Sequence, residues 1–165
     1  MMIKKFNLLA LIVLGTSTLI ASTATTAQAQ RRTGAYFAYR NATHFGFYNP
    51  NKSNPSGASD LIAYCSFPTP GGYQMHKVGI GGDNVGQLTD DQVTPLAFRG
   101  ACPLPSGYFA WNKATHYSMG EGRYCSFPTG QGFIDHLNRR PYERNFGNLI
   151  SDPNAFMSFA GACGS

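Results

Sequence analysis

Apolar positions along this chain alternate or fall in short runs, and helical spacing is rare. Residues 34–45 read Gly-Ala-Tyr-Phe-Ala-Tyr-Arg-Asn-Ala-Thr-His-Phe. Their aromatic and β-branched content predicts one strand running into a second. In an alternating strand Tyr36, Ala38 and Arg40 share one face, and Phe37, Tyr39 and Asn41 share the other. Ser106 to Tyr117 repeat the pattern 72 positions on, with Phe109, Trp111 and Lys113 on the second face. Helical spacing surfaces at Phe133 and Leu137, an i, i+4 pair that predicts one or two turns. The matching stretch Gly72-Tyr73-Gln74-Met75-His76 is poorer in apolar residues and flanked by glycine, which argues less for a helix there.

The two halves are copies. The hexapeptide Tyr-Cys-Ser-Phe-Pro-Thr stands at residues 64–69 and again at 124–129. Asn84-Val85-Gly86-Gln87-Leu88 matches Asn145-Phe146-Gly147-Asn148-Leu149, and Phe98-Arg99-Gly100-Ala101-Cys102 matches Phe159-Ala160-Gly161-Ala162-Cys163. Across positions 36–45, 64–76 and 84–102 the copies agree at 22 of 42 places. Proline after the hexapeptide's aromatic ends its strand. The Asn-x-Gly pieces are turn chemistry, the segments around Asp91 and Asp152 are candidate caps of a short helix or turn, and the Phe-x-Gly-Ala-Cys pieces read as closing strands. Copy one carries an extra polar stretch, Asn49 to Ser59, expected as an exposed hairpin loop. Copy two has Gly120-Glu121-Gly122 there, a tight hairpin. The expected architecture is a β-rich α+β protein made of two pseudo-two-fold units, 34–102 and 106–163, joined by the stiff Pro103-Leu104-Pro105.

The first 29 residues read as a targeting segment. Lys4 and Lys5 precede the apolar run Phe6 to Leu14, and Ala27-Gln28-Ala29 supplies a small-x-small cleavage pattern. The run is about half the ~20 residues a membrane-spanning helix requires, so export with no transmembrane segment in the mature chain is expected. Loss of the two lysines lowers the net charge from +5 to +3, and the cluster Arg139, Arg140 and Arg144 is too small for a nucleic-acid footprint. Four cysteines in an exported chain predict two disulfides. Pairing Cys65 with Cys102 and Cys125 with Cys163 closes one loop per copy. Pairing Cys65 with Cys163 and Cys102 with Cys125 respects the duplication equally.

Candidate chemistry is sparse. The four histidines form matched pairs, His44 with His116 and His76 with His136. His44 with His76, and His116 with His136, are the candidate imidazole ligands for Zn or Cu in each unit, although two histidines do not complete a tetrahedral site. Ser66 and Ser126 recur, but no Gly-x-Ser-x-Gly elbow accompanies them. These features argue against an enzyme more than for one, and no cofactor is expected. The expected activity is binding through two similar sites, with a glycan or cell-envelope polymer as partner and Tyr39, Trp111, His44 and His116 as contacts. A small hydrolase, a histidine metal-binding protein and a purely structural envelope protein are the alternatives.

Overall fold

A computed structural model of the chain describes residues 33–164; the segment 1–29 read as a signal lies outside them. In the first copy β1 (Gly34–Tyr39), β2 (Ala42–Tyr48) and β3 (Leu61–Ser66) form an antiparallel meander. Helix α1 (Pro70–Gly79) then crosses one face to place β4 (Asp83–Gln87) parallel to β1 at one edge. The short α2 (Asp90–Val93) crosses the other face and leads to β5 (Ala97–Ala101), parallel to β3 at the far edge. The sheet order is β4-β1-β2-β3-β5. The second copy repeats this plan with β6 (Ser106–Trp111), β7 (Ala114–Gly120), β8 (Arg123–Ser126), α3 (Gly130–Arg139), β9 (Asn145–Asn148) and β10 (Ser158–Ala162). A 3₁₀ turn, Pro153–Ala155, takes the place of α2 and is capped by Asp152, whose carboxylate accepts from Asn154 N. Tandem duplication of a β-rich unit is thus visible in the backbone.

Both first turns, Arg40-Asn41 and Asn112-Lys113, hold two successive residues at positive φ, the hairpin geometry that matches strand twist. Disulfides join Cys65 to Cys102 and Cys125 to Cys163, with Cα atoms 4.8 and 4.9 Å apart. Each closes a loop within its own copy and contributes roughly 4 kcal/mol by the loop-entropy model.

Both helices are ten residues long, more than the apolar spacing implied. The last residue of each hexapeptide explains their starts: Thr69 and Thr129 are N-caps whose hydroxyls accept from Gly72 N and Gly132 N. The Asn-x-Gly pieces also differ from expectation. They lie inside the edge strands β4 and β9, where Asn84 and Asn145 accept from Gly86 N and Gly147 N. Gly86 and Gly147 take φ values of 81° and 72°, and the register against β1 and β6 slips there. This is turn chemistry used as a β-bulge.

The insertion is mostly exposed, as expected, but it is closed around Asp60. That buried carboxylate accepts from Ser56 N at 2.7 Å and pairs with Lys52. The Lys52 hydrogen bond first, then the Ser56 amide, hold its pKa below the usual carboxylate range. Ala58 from the turn beside it packs on the Phe37 face of the first sheet, with Tyr48, Leu61 and Val93.

Helix α1 is buried on two sides. Tyr73 and His76 face their own sheet among Tyr36, Phe45 and Phe67. Gly71, Met75 and Gly79, at i, i+4 and i+8, face the second sheet. Met75 joins the core of Phe109, Tyr124, Phe146 and Met157. A Cβ on Gly71 would overlap Ser151, and one on Gly79 would overlap Pro105. Gln74 donates to Phe146 O and Asn148 O and accepts from Ile150 N, closing the open side of edge strand β9. The docking is one-sided: α3 packs on its own sheet through Phe133 and Leu137, and none of its residues is fully buried.

Gly79→Ala should therefore destabilise the protein by ~1–3 kcal/mol, against the usual gain for glycine to alanine in a helix. Gly130→Ala, at a position facing open space, should be neutral or stabilising by up to about 1 kcal/mol. Urea unfolding of the oxidised variants measures both, and a gain at residue 79 would refute the close contact.

Candidate functional site

Every residue of the hexapeptide but its proline makes a defined contact, and alternation along β3 and β8 sorts them by face. Tyr64 and Ser66 point to the Phe37 side of the first sheet; Cys65 and Phe67 point to the side covered by α1. Tyr64 sits 5.0 Å from Phe98 and 5.8 Å from Phe37 between ring centroids. Phe67 packs against Tyr36, Tyr73 and His76. The second copy reproduces these contacts, with Tyr124 against Phe109 and Phe159, and Phe127 against Tyr108, Phe133 and His136.

Ser66 and Ser126 are tied to the buried histidines of the neighbouring strand. His44 Nδ1 lies 2.8 Å from Ser66 Oγ, and its Nε2 lies 3.1 Å from Tyr39 O. His116 matches this with 2.6 Å to Ser126 Oγ and 3.1 Å to Trp111 O. A carbonyl oxygen can only accept, so Nε2 carries a proton, and in the neutral imidazole Nδ1 accepts from the serine hydroxyl. Each imidazole also stacks on a phenylalanine, His44 on Phe37 at 5.2 Å and His116 on Phe109 at 5.0 Å. The unit clasps the first hairpin turn to the hexapeptide strand.

His76 and His136 are on the opposite face, hydrogen-bonded through Nδ1 at 2.8 Å to Tyr36 and Tyr108 hydroxyls. The proposed metal pairs are therefore not brought together: the sheet separates His44 from His76 and His116 from His136, and both nitrogens of His44 and His116 are already engaged. Among the described residues no group of three or more His, Cys, Asp or Glu side chains is arranged to hold a metal ion. Burial lowers the pKa of His76 to about 4 and raises that of Tyr36. His136 is lowered too, by burial first and then by Arg140 and Arg139.

Of the expected ligand contacts, Tyr39 and Trp111 lie at the margin of their sheets, half-buried. Tyr39 donates to Asp90 at 2.7 Å, and Arg40 lies over its ring while pairing with Asp90 at 3.2 Å. The Asp90 hydrogen bond raises the Tyr39 pKa. Trp111 packs against the core that α1 enters. His44 and His116 adjoin them but are buried. At matched positions of the two copies, Phe98 and Phe159 reach solvent, 58% and 56% exposed. Their recurrence in both copies was a signal for them. Regular alternation would have put them on the face of Cys102 and Cys163, but bulges at Gly100 and Gly161 shift the register and turn them to the opposite face.

A depression of about 320 Å³ lies at the end of the first hexapeptide, lined by Asn41, Thr43, Phe67, Thr69 and Tyr73 among others. Another, of about 270 Å³, lies where the copies join, against Cys102, Leu104, Glu121 and Phe156. No family model, curated protein or solved structure matches the chain.

The buried His76 yields a pH dependence. Unfolded, the residue takes up a proton near its ordinary 6.5; folded, it does so only near 4. Its contribution is complete above 6.5 and is lost as pH falls from 6.5 toward 4, on the order of 3 kcal/mol. Urea midpoints should be level above pH 6.5 and decline below it, with a shallower decline in His76→Gln. An NMR titration placing the His76 midpoint near 6.5 would contradict this.

Proposed function

We propose that the protein is an exported binding module whose two copies present matching aromatic ledges to a repetitive carbohydrate or cell-envelope polymer. The carrying observation is the duplicated pair, Phe98 on Tyr64 at 5.0 Å and Phe159 on Tyr124 at 5.3 Å, each with its phenylalanine exposed. Burying such a ring is worth roughly 1.5–3 kcal/mol, so two copies that both keep it in solvent forgo a gain that a partner would restore. The tyrosine beneath fixes each ring, which lowers the ordering cost of an aromatic contact. Two like sites on one chain make the second contact intramolecular, which favours a polymer over a single small ligand. The two disulfides suggest an oxidising, extracytoplasmic location, and no described helix is long and apolar enough to cross a membrane.

A glycan array with the oxidised protein tests this. Phe98→Ser or Phe159→Ser should each weaken binding about tenfold, and the double variant by 100-fold or more if the sites act together. Trp111→Ala, at a half-buried position, separates the original stacking candidate from these rings. Absence of binding, or binding unchanged in the double variant, removes the reading.

The duplicated serine–histidine contact supports a second reading, a small hydrolase in which Nδ1 takes the Ser66 or Ser126 proton as the oxygen attacks an ester, the ester's alcohol leaves with that proton, and water hydrolyses the acyl-serine. The burial of both imidazoles under phenylalanine weighs against it. A fluorophosphonate should label Ser66 or Ser126 if this holds and leave Ser66→Ala/Ser126→Ala unlabelled; an unlabelled native protein rejects it.

A further inference from the structure

We infer that the last residue of α3 and the loop after it, residues 139–144, form an anion-binding subsite for a polysaccharide carrying carboxylate, sulfate or phosphate groups; the choice of polysaccharide rests on the binding reading above. The loop reads Arg-Arg-Pro-Tyr-Glu-Arg and lines a shallow depression of about 440 Å³. Its charges divide into two sets. Glu143 is the anchor: it accepts from Tyr117 Oη at 2.8 Å and from Ser106 Oγ at 3.1 Å, on strands β7 and β6. Arg140 completes the anchor, donating to Tyr117 Oη at 2.8 Å, pairing with Glu143 at 3.5 Å and lying over the buried Tyr117 ring. One cation and the loop's one carboxylate are thereby spent on position.

Arg139 and Arg144 form the other set. Among the described residues neither has an ion pair or a side-chain hydrogen bond, and both are exposed or nearly so. Between them stands Tyr142, 97% exposed, on a backbone that Pro141 stiffens. A guanidinium offers paired donors that match the oxygens of carboxylate, sulfate or phosphate, and a solvent-facing ring supplies an apolar contact for a sugar. The first copy has nothing equivalent. Its corresponding segment, Gly79-Ile80-Gly81-Gly82-Asp83, is one residue shorter and holds no cation and no aromatic ring. An anchored loop with two unspent cations around an exposed ring therefore belongs to the second copy alone.

The test is fluorescence anisotropy with labelled dextran sulfate, neutral dextran and a single-stranded oligonucleotide. Arg139→Gln/Arg144→Gln should weaken dextran sulfate binding at least tenfold. Arg99→Gln/Arg123→Gln removes the same charge from exposed positions elsewhere and should change it less than threefold. Glu143→Gln removes a negative charge yet should weaken binding, because it releases the anchor. Equal losses in both double variants, tighter binding by Glu143→Gln, or a preference for the oligonucleotide would each overturn the assignment. Phe98→Ser/Phe159→Ser keeps the two ideas apart: glycan binding lost with dextran sulfate binding retained supports both. Dextran sulfate binding lost in the arginine variant while neutral glycans never bind leaves this subsite and removes the aromatic ledges.

Discussion

One helix is held between two sheets, and the arrangement of the copies depends on how closely it can approach the second. Gly71 and Gly79 leave no side chain between the α1 backbone and Ser151, Phe156 and Pro105, while Met75 between them fills the core. On the other side Tyr73 and His76 keep the helix on its own sheet. At the corresponding positions α3 carries Gln131, Asp135 and Arg139, residues that suit water. The duplicated helix has thus diverged into an internal joint and a solvent-facing cover. A stacked array of repeats needs that difference at its ends.

The hexapeptide is the second constraint, and it accounts for the identity of its two copies. Alternation sends Tyr64 and Ser66 to one face and Cys65 and Phe67 to the other, and Thr69 then caps the helix that covers the second face. A replacement at any of these loses a separate contact: an aromatic stack, a disulfide, a histidine clasp, a core ring or a cap. The histidines belong to this framework. His44 and His116 use both nitrogens to bind a turn to a strand, so their recurrence in both copies reflects shared structure.

The copies differ where they meet solvent. The first keeps a polar insertion closed by Lys52 and Asp60 over its outer sheet face. The second replaces that insertion with a two-residue turn and builds its own distinct feature after α3, around Glu143. Phe98 and Phe159 are exposed at matched positions, whereas the loop with Arg139, Tyr142 and Arg144 has no counterpart in the first copy.

Local pattern was enough for the meander strands, the closing strands, the duplication and the presence of two disulfides, because each rests on residues adjacent in sequence or on direct comparison of the copies; it missed the edge strands β4 and β9, whose Asn-x-Gly pieces carry turn chemistry inside a strand. Other features depended on what lies opposite in space. The sequence signal for α1 is weak because its glycines, unfavourable in an isolated helix, are required by the sheet packed against them. The exposure of Phe98 and Phe159 was hidden because one extra residue at each bulge reverses the parity that sequence alternation relies on. The sequence left two disulfide pairings equal, and the tertiary structure selected the one within each copy by setting β3 beside β5 and β8 beside β10, with each cysteine pair at the ends of the paired strands. It also separated the histidines that the sequence had grouped, since neighbouring places in a repeat can lie on opposite faces of a sheet.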